Sequence, residues 1–162
     1  MDNVNAFKVT VTAIAAGVSA ALGWFGWLVV AFIACMTVDW GTGSLAAWKN
    51  GKWESKVARE GIWHKTGSVI AVLVTVILDS VIGNVVNNIP SVSLPFTYTV
   101  ILSPIVIVWY ILTELGSIIE NAGKMGAPVP GFLKKAIALF KGTVDAAGDK
   151  LTEIQSKPPE IK

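Results

Sequence analysis

The chain has 162 residues, of which 53% are hydrophobic and 15% are charged, and its mean hydropathy is +0.62. Typical soluble domains have about 25% charged residues, so the composition excludes both an ordinary soluble domain and an intrinsically disordered chain. A net charge of +2, with the basic residues split between two segments, argues against nucleic-acid binding. Cys35 is the single cysteine and has no partner within the chain, so the chain is not a disulfide scaffold. What remains is a small integral membrane protein.

The N-terminal extension, residues 1–17, could be helical, and its residues 4–16 either extend the first span or form an interfacial helix. A cleaved signal peptide is the other interpretation, but the apolar core is too long and Lys8 is its only positive flank. The uncharged run of residues 9–38 follows. About 20 apolar residues cross about 30 Å of hydrocarbon, so this run predicts one span, which we place at 18–38.

The second long apolar run, residues 66–113, contains one charged residue, Asp79. It is too long for one span and suits two. Its middle is rich in proline, asparagine and serine, which indicates a turn. We therefore place two further spans at 66–86 and 96–115, so that residues 18–115 form a three-span membrane domain.

Lysine and arginine residues follow the first span and the third span, and none lies between the second and third spans. Cytoplasmic loops are enriched in these residues. The predicted topology places the N-terminus outside, the basic loop 49–65 in the cytoplasm, and the C-terminus in the cytoplasm. The basic loop is either purely topogenic or a site for a specific lipid or partner.

Residues 116–147 are predicted to form a cytoplasmic helical segment, and residues 148–162 a disordered tail. Within the segment, residues 132–145 alternate apolar and basic side chains at helical spacing. Cationic amphipathic helices of this kind commonly lie on anionic membrane surfaces. The candidates for contact with the membrane surface are Lys134, Lys135 and Lys141. The predicted fold class is therefore an all-α integral membrane protein with three transmembrane helices and a C-terminal cationic amphipathic helix.

Asp79 is a candidate pore or assembly residue, because a carboxylate inside a span costs about 3 kcal/mol and usually faces a bundle interior or a water-filled cavity. It either lines an oligomer lumen or drives assembly by hydrogen bonding. Two structural alternatives remain open. Asp79 could be neutral and paired within one subunit, or the second span could start late and leave it near the outer end.

Small residues recur at helical spacing, and they are further assembly candidates: Gly17, Ala21, Gly23 and Gly83. Small residues four positions apart let helix backbones approach closely, which favours helix association in lipid. Packing among three spans of one chain is the alternative. A three-span monomer has little interior for so many small positions, so we favour a homo-oligomer.

Asp39 and Thr42 lie at the cytoplasmic end of the first span. Asp39 could pair with Lys65 or Arg59 and fix the hairpin, an interpretation that we prefer to a pore role. Glu114 could bind the basic loop in the same way, and so could Glu120. The single histidine, His64, offers no metal site and no Ser-His-Asp set, so we expect no cofactor and no enzymatic activity.

Four motifs occur in order along the chain: Asp39-x-x-Thr42-Gly43-x-x-x-Ala47, Ser55-x5-Gly61-x3-Lys65, the intramembrane Asp79, and Glu114-x-x-Ser117-Ile-x-Glu120-Asn121-x4-Gly126-x-Pro128-x-Pro130. In this order and spacing the chain resembles the toxin-secretion/phage-lysis holin family. The resemblance covers about residues 25–135.

The resemblance implies a protein that accumulates in the cytoplasmic membrane of a bacterium during phage infection and associates into non-selective lesions at a set time. An endolysin or a large toxin then escapes as cargo, without a need for direct binding. The family has no catalytic residues to transfer to this chain. A small ion channel or transporter subunit and a membrane anchor for a soluble partner are the alternative functions.

Overall fold

The computed structural model describes residues 3–89 and 100–156, and within these ranges the regular structure is entirely α-helical. The five helices are α1 (Asn3–Leu22), α2 (Trp24–Lys49), α3 (Ser55–Asn88), α4 (Leu102–Lys124) and α5 (Gly131–Ser156). Three segments of the described chain are long and apolar enough to cross a membrane, namely α2, α3 from Gly61 onward, and α4. The prediction of an all-α protein with three spans is confirmed, and α5 is the C-terminal amphipathic helix.

The first span begins at Trp24, six residues later than the predicted range 18–38. The backbone breaks at Gly23, which has φ of +61° and ψ of −146°. Residues with a Cβ rarely adopt this conformation, whereas glycine adopts it readily. As a result, α1 contains residues 3–17 of the predicted extension and continues to Leu22 as a helix separate from α2.

The third span also begins later than the predicted range 96–115, because α4 starts at Leu102. The turn predicted before it falls largely on residues 90–99, which lie outside the described residues. Pro104 occupies the first turn of α4. A proline is tolerated there because its missing N–H would have no partner within the helix.

Among the described helices, α4 is the central element, because it packs against α2, α3 and α5, whereas α1 contacts only α2. Ile107 of α4 is fully buried, and the ring centroids of Phe32 and Tyr110 lie 5.9 Å apart in the α2–α4 contact. In contrast, α2 and α3 make little direct contact. Most apolar side chains of the spans point outward, where lipid or other copies of the chain can cover them.

Helix α5 folds back along α4. A Cβ on Gly116 would lie 3.9 Å from Cγ2 of Ile137. Farther along both helices, Nζ of Lys141 lies 3.9 Å from the ring centroid of Trp109, a distance typical of a cation–π contact. Lys141, expected at the membrane surface, therefore contacts α4 in this structure.

The C-terminal end of α5 differs from the sequence prediction of a disordered tail at 148–162. The helix continues to Ser156, and residues 157–162 lie outside the described residues. Ala146, Ala147 and Leu151 are good helix formers, and Leu151 extends the apolar face of the helix. The amphipathic pattern therefore persists beyond the predicted end at residue 147.

Candidate functional site

One polar cluster joins the three spans α2, α3 and α4. Nζ of Lys65 in α3 lies 2.9 Å from Oδ2 of Asp39 in α2 and 2.5 Å from Oε2 of Glu114 in α4. All three side chains are less than one-fifth exposed. The structure thus brings together two pairings proposed from the sequence, Asp39 with Lys65 and Glu114 with the basic loop, at the same ammonium group.

The amide of Asn121 extends this cluster along α4. Its Nδ2 donates to Oδ1 of Asp39 at 3.0 Å and to Oγ1 of Thr42 at 3.4 Å. A Cβ on Gly43 would lie 3.4 Å from the same Nδ2, so a larger residue there would crowd Asn121. The amide of Asn121 therefore faces two acceptors, on Asp39 and Thr42, and the space left by the missing side chain of Gly43.

Two of the predicted loop contacts are arranged differently. Glu120 is exposed on α4 and lines a groove against α5 together with Lys134 and Lys141. Lys134 and Lys135 are exposed, as a role at the membrane surface requires. Arg59, the alternative partner proposed for Asp39, is exposed near the start of α3. The hairpin is instead fixed through Lys65.

A second polar cluster surrounds Asp79, which is 5% exposed. Its Oδ1 accepts hydrogen bonds from the backbone N–H groups of Ile101 at 3.3 Å and Leu102 at 3.0 Å. Its Oδ2 accepts one from the N–H of Ser103 at 2.7 Å and another from the Ser103 hydroxyl. Asp79 of α3 therefore caps the N-terminus of α4.

This cap supplies the hydrogen-bond acceptors that a helix beginning inside a membrane would otherwise lack. The first N–H groups of a helix lack partners within the helix, and lipid supplies none. The carboxylate of Asp79 also complements the positive end of the α4 dipole. Of the alternatives that the sequence leaves open, this geometry favours Asp79 paired within one subunit.

Ser103 is the residue of this cluster that sequence reasoning missed, and it is fully buried. A serine just before Pro104 signals a helix start, so the position of Ser103 at the start of α4 could be predicted from the sequence. Its contact with Asp79 could not be predicted, because Asp79 lies 24 residues earlier on a different helix.

The distance between the two clusters along the spans is shorter than the hydrocarbon layer of a bilayer is thick. Fourteen residues of α3 separate Lys65 from Asp79, which is about 21 Å. On α4, eleven residues separate Ser103 from Glu114, which is about 16 Å. Both separations are smaller than the thickness of the hydrocarbon layer, which is about 30 Å. The two clusters therefore cannot lie in opposite headgroup regions of the bilayer. At least one of them must satisfy its polar groups within the protein.

The small residues proposed for assembly have open surroundings where the structure describes them. A Cβ added at Gly17 or at Gly23 would meet no atom within 4 Å. Gly83 is half-buried on α3, and the surroundings of Ala21 in α1 lie outside the described residues. Packing among the described residues does not account for Gly17. Its role in assembly stays a prediction.

Comparison with known proteins gives a consistent picture. The model of the bacteriophage holin family matches residues 16–142. An uncharacterized protein of Halalkalibacterium halodurans is 36% identical over 135 residues, which cover 83% of this chain and 93% of that protein. No solved structure matches the chain significantly. Because the family match covers more than half of the chain, including both polar clusters and all three spans, the chain belongs to the bacteriophage holin family.

Proposed function

We propose that this multi-pass membrane protein acts as a holin, which oligomerises in the bacterial cytoplasmic membrane and opens non-selective lesions. An endolysin or a toxin would leave through them, after which the cell lyses. The observation that carries the proposal is the family match over residues 16–142. The N-terminus lies outside and the C-terminus lies in the cytoplasm, as the distribution of lysine and arginine supports.

The packing of the spans supports association between copies. Leu73 and Ile77 of α3 are more than half exposed, and Ile33 of α2 is 56% exposed. In contrast, the Lys65 and Asp79 clusters tie α3 to α4 within one copy. We therefore expect lesions to form by movement of whole subunits against one another, while each copy keeps its own fold.

Release from liposomes tests this function. Full-length protein reconstituted at increasing density should release an entrapped small dye and, at the same density, a dextran larger than a folded enzyme. An ion channel would dissipate an ion gradient and retain both probes, and an anchor protein would retain both probes and the gradient. Retention of the dextran at every density would contradict the holin function.

The exposed glycine of α1 offers a variant for the same assay. Gly17→Leu places a bulky side chain at a position with open space within the chain, so the fold tolerates it, whereas close approach of a second copy does not. The threshold density for release should rise. Val11→Leu, at an exposed position of the same helix, is the matched control. Equal thresholds would remove Gly17 from the assembly candidates.

Docking of α5 on α4 provides a means of timing. Trp109, which Lys141 contacts, lies between the two polar clusters and thus alongside the hydrocarbon. The polar face of α5 carries exposed charges such as Lys134 and Asp145, which are costly to expose to lipid. In this proposal, α5 of an isolated subunit dissociates from α4 when α4 inserts fully into the bilayer. The time that this dissociation takes helps to set the time of lysis.

A disulfide between α4 and α5 tests the timing proposal. The variant Gly116→Cys/Ile137→Cys, with Cys35→Ala to remove the native thiol, joins positions already in contact. Oxidation should delay depolarisation and loss of viability after induction, and a membrane-permeant reductant should restore the original delay. The two single-cysteine variants are the controls. Unchanged timing in the cross-linked protein would contradict a role for α5 release.

A further inference from the structure

The gap between α2 and α3 forms a groove on the outer surface of the spans. Its volume is about 450 Å³, and it exists because these two helices make little direct contact. Its walls are mainly apolar, with Ile33 and Met36 on α2 and Ile62 and Val69 on α3. The dimensions and lining suit a hydrocarbon chain.

A second cavity, of about 630 Å³, lies where the spans reach the basic loop. It shares Trp40 and Lys65 with the groove, so the two lie next to each other. Its lining is more polar and includes Lys52, Trp53 and Lys124. Indole rings and lysines are the side chains that favour the interface between the bilayer and water.

The positive charge available to an anion at this second cavity lies at Lys52 and Lys124, because Lys65 together with Asp39 and Glu114 carries a net charge of −1. Lys65 already binds two carboxylates, those of Asp39 and Glu114. Among the lining residues that the structure describes, the remaining charges are two lysines, Lys52 and Lys124, and one carboxylate, Glu54. Lysine ammonium groups bind phosphate as point charges, so this end of the cavity suits a phosphate group.

Hydrogen bonds hold the cavity walls together without the ligand. Nδ2 of Asn50 donates to the backbone oxygen of Lys124 at 3.3 Å, and Nζ of Lys49 donates to the backbone oxygen of Met125. These contacts fix the end of α2 against the end of α4. The cavity is therefore preformed, which lowers the conformational cost of binding.

We propose that the two adjoining cavities bind one anionic phospholipid. An acyl chain occupies the α2–α3 groove, and the phosphate headgroup lies between Lys52 and Lys124. This inference goes beyond the lytic function and does not depend on it, because a bound lipid is detected whether or not lesions form. A lipid in this position fills a gap that the described side chains of α2 and α3 leave open between these spans.

Native mass spectrometry of the full-length protein tests the headgroup. The protein is released from micelles containing equal amounts of phosphatidylglycerol and phosphatidylcholine with identical chains. We expect phosphatidylglycerol to be retained preferentially. Lys52→Gln/Lys124→Gln should lower that preference about fivefold for each lysine, the factor that corresponds to about 1 kcal/mol per basic residue at an anionic surface. Lys8→Gln/Lys150→Gln, with the same loss of charge at exposed helix positions outside the cavity, should retain it.

A second pair of variants tests the groove. Val69→Trp fills it and should lower phosphatidylglycerol retention, whereas Ile70→Trp, exposed on the neighbouring face of α3, should not. Free glycerol phosphate should fail to displace the lipid, because it has no acyl chain. Equal retention of both lipids by the unaltered protein, displacement by glycerol phosphate, or a second protein copy in place of lipid would each overturn the proposal.

Discussion

Replacing Lys65 with methionine should destabilise the protein by about 3–5 kcal/mol, the range for removal of one partner from a buried ion pair. Methionine has a similar length but carries no charge, so Asp39 and Glu114 would face each other without the ammonium group between them. Titration with a denaturing detergent in mixed micelles measures the free energy of unfolding. Lys150→Met, at an exposed position of α5 outside this cluster, is the matched control and should change it little.

The same cluster offers a rescue experiment. Lys65→Met combined with Asp39→Asn and Glu114→Gln removes all three charges together, and replacement of a whole buried ion group by neutral side chains is often tolerated. Most of the lost stability should return, so the three changes should be strongly non-additive. A triple variant as unstable as Lys65→Met would contradict the view that unbalanced charge causes the loss.

Replacing Asp79 with alanine should destabilise the protein by about 3 kcal/mol or more. The substitution leaves three backbone N–H groups and the Ser103 hydroxyl without their acceptor, and each unsatisfied buried group costs about 1–3 kcal/mol. Hydrogen exchange at residues 101–103 should accelerate. Asp145→Ala, an exposed carboxylate on α5, is the control.

Asp79→Asn separates the structural role from a role in a pore. The amide keeps one acceptor oxygen of similar shape but loses the charge and the second acceptor, so its effect on stability should lie between those of aspartate and alanine. If Asp79 instead lines a lumen, the asparagine variant would change ion flow through open lesions while leaving the free energy of unfolding unchanged. That result would contradict the capping role.

Much of this architecture could be predicted from the sequence because its signals are local. Long uncharged runs reveal spans, since lipid tolerates few charges anywhere within about 20 residues. The pairing of Asp39 with Lys65 could also be predicted, because both were expected at the loop end of a predicted hairpin and carry opposite charges. The number of spans and one contact between them therefore follow from composition and charge.

The remaining features depend on geometry that composition does not encode. The break at Gly23 is set by one backbone conformation inside an uninterrupted apolar run. The partner of Asp79 is a set of backbone N–H groups, which every non-proline residue possesses, so no side chain marks it. The return of α5 along α4 depends on which of two apolar surfaces, protein or membrane, the helix covers.

The cap on α4 also constrains biosynthesis. Asp79 emerges from the ribosome 22 to 24 residues before the groups that satisfy it. If α3 entered the bilayer alone, it would carry an unpaired carboxylate at a cost of about 3 kcal/mol. Entry of α3 and α4 as one helical hairpin avoids that intermediate. A nascent chain ending before residue 101 should therefore integrate less completely at the translocon than one that includes α4.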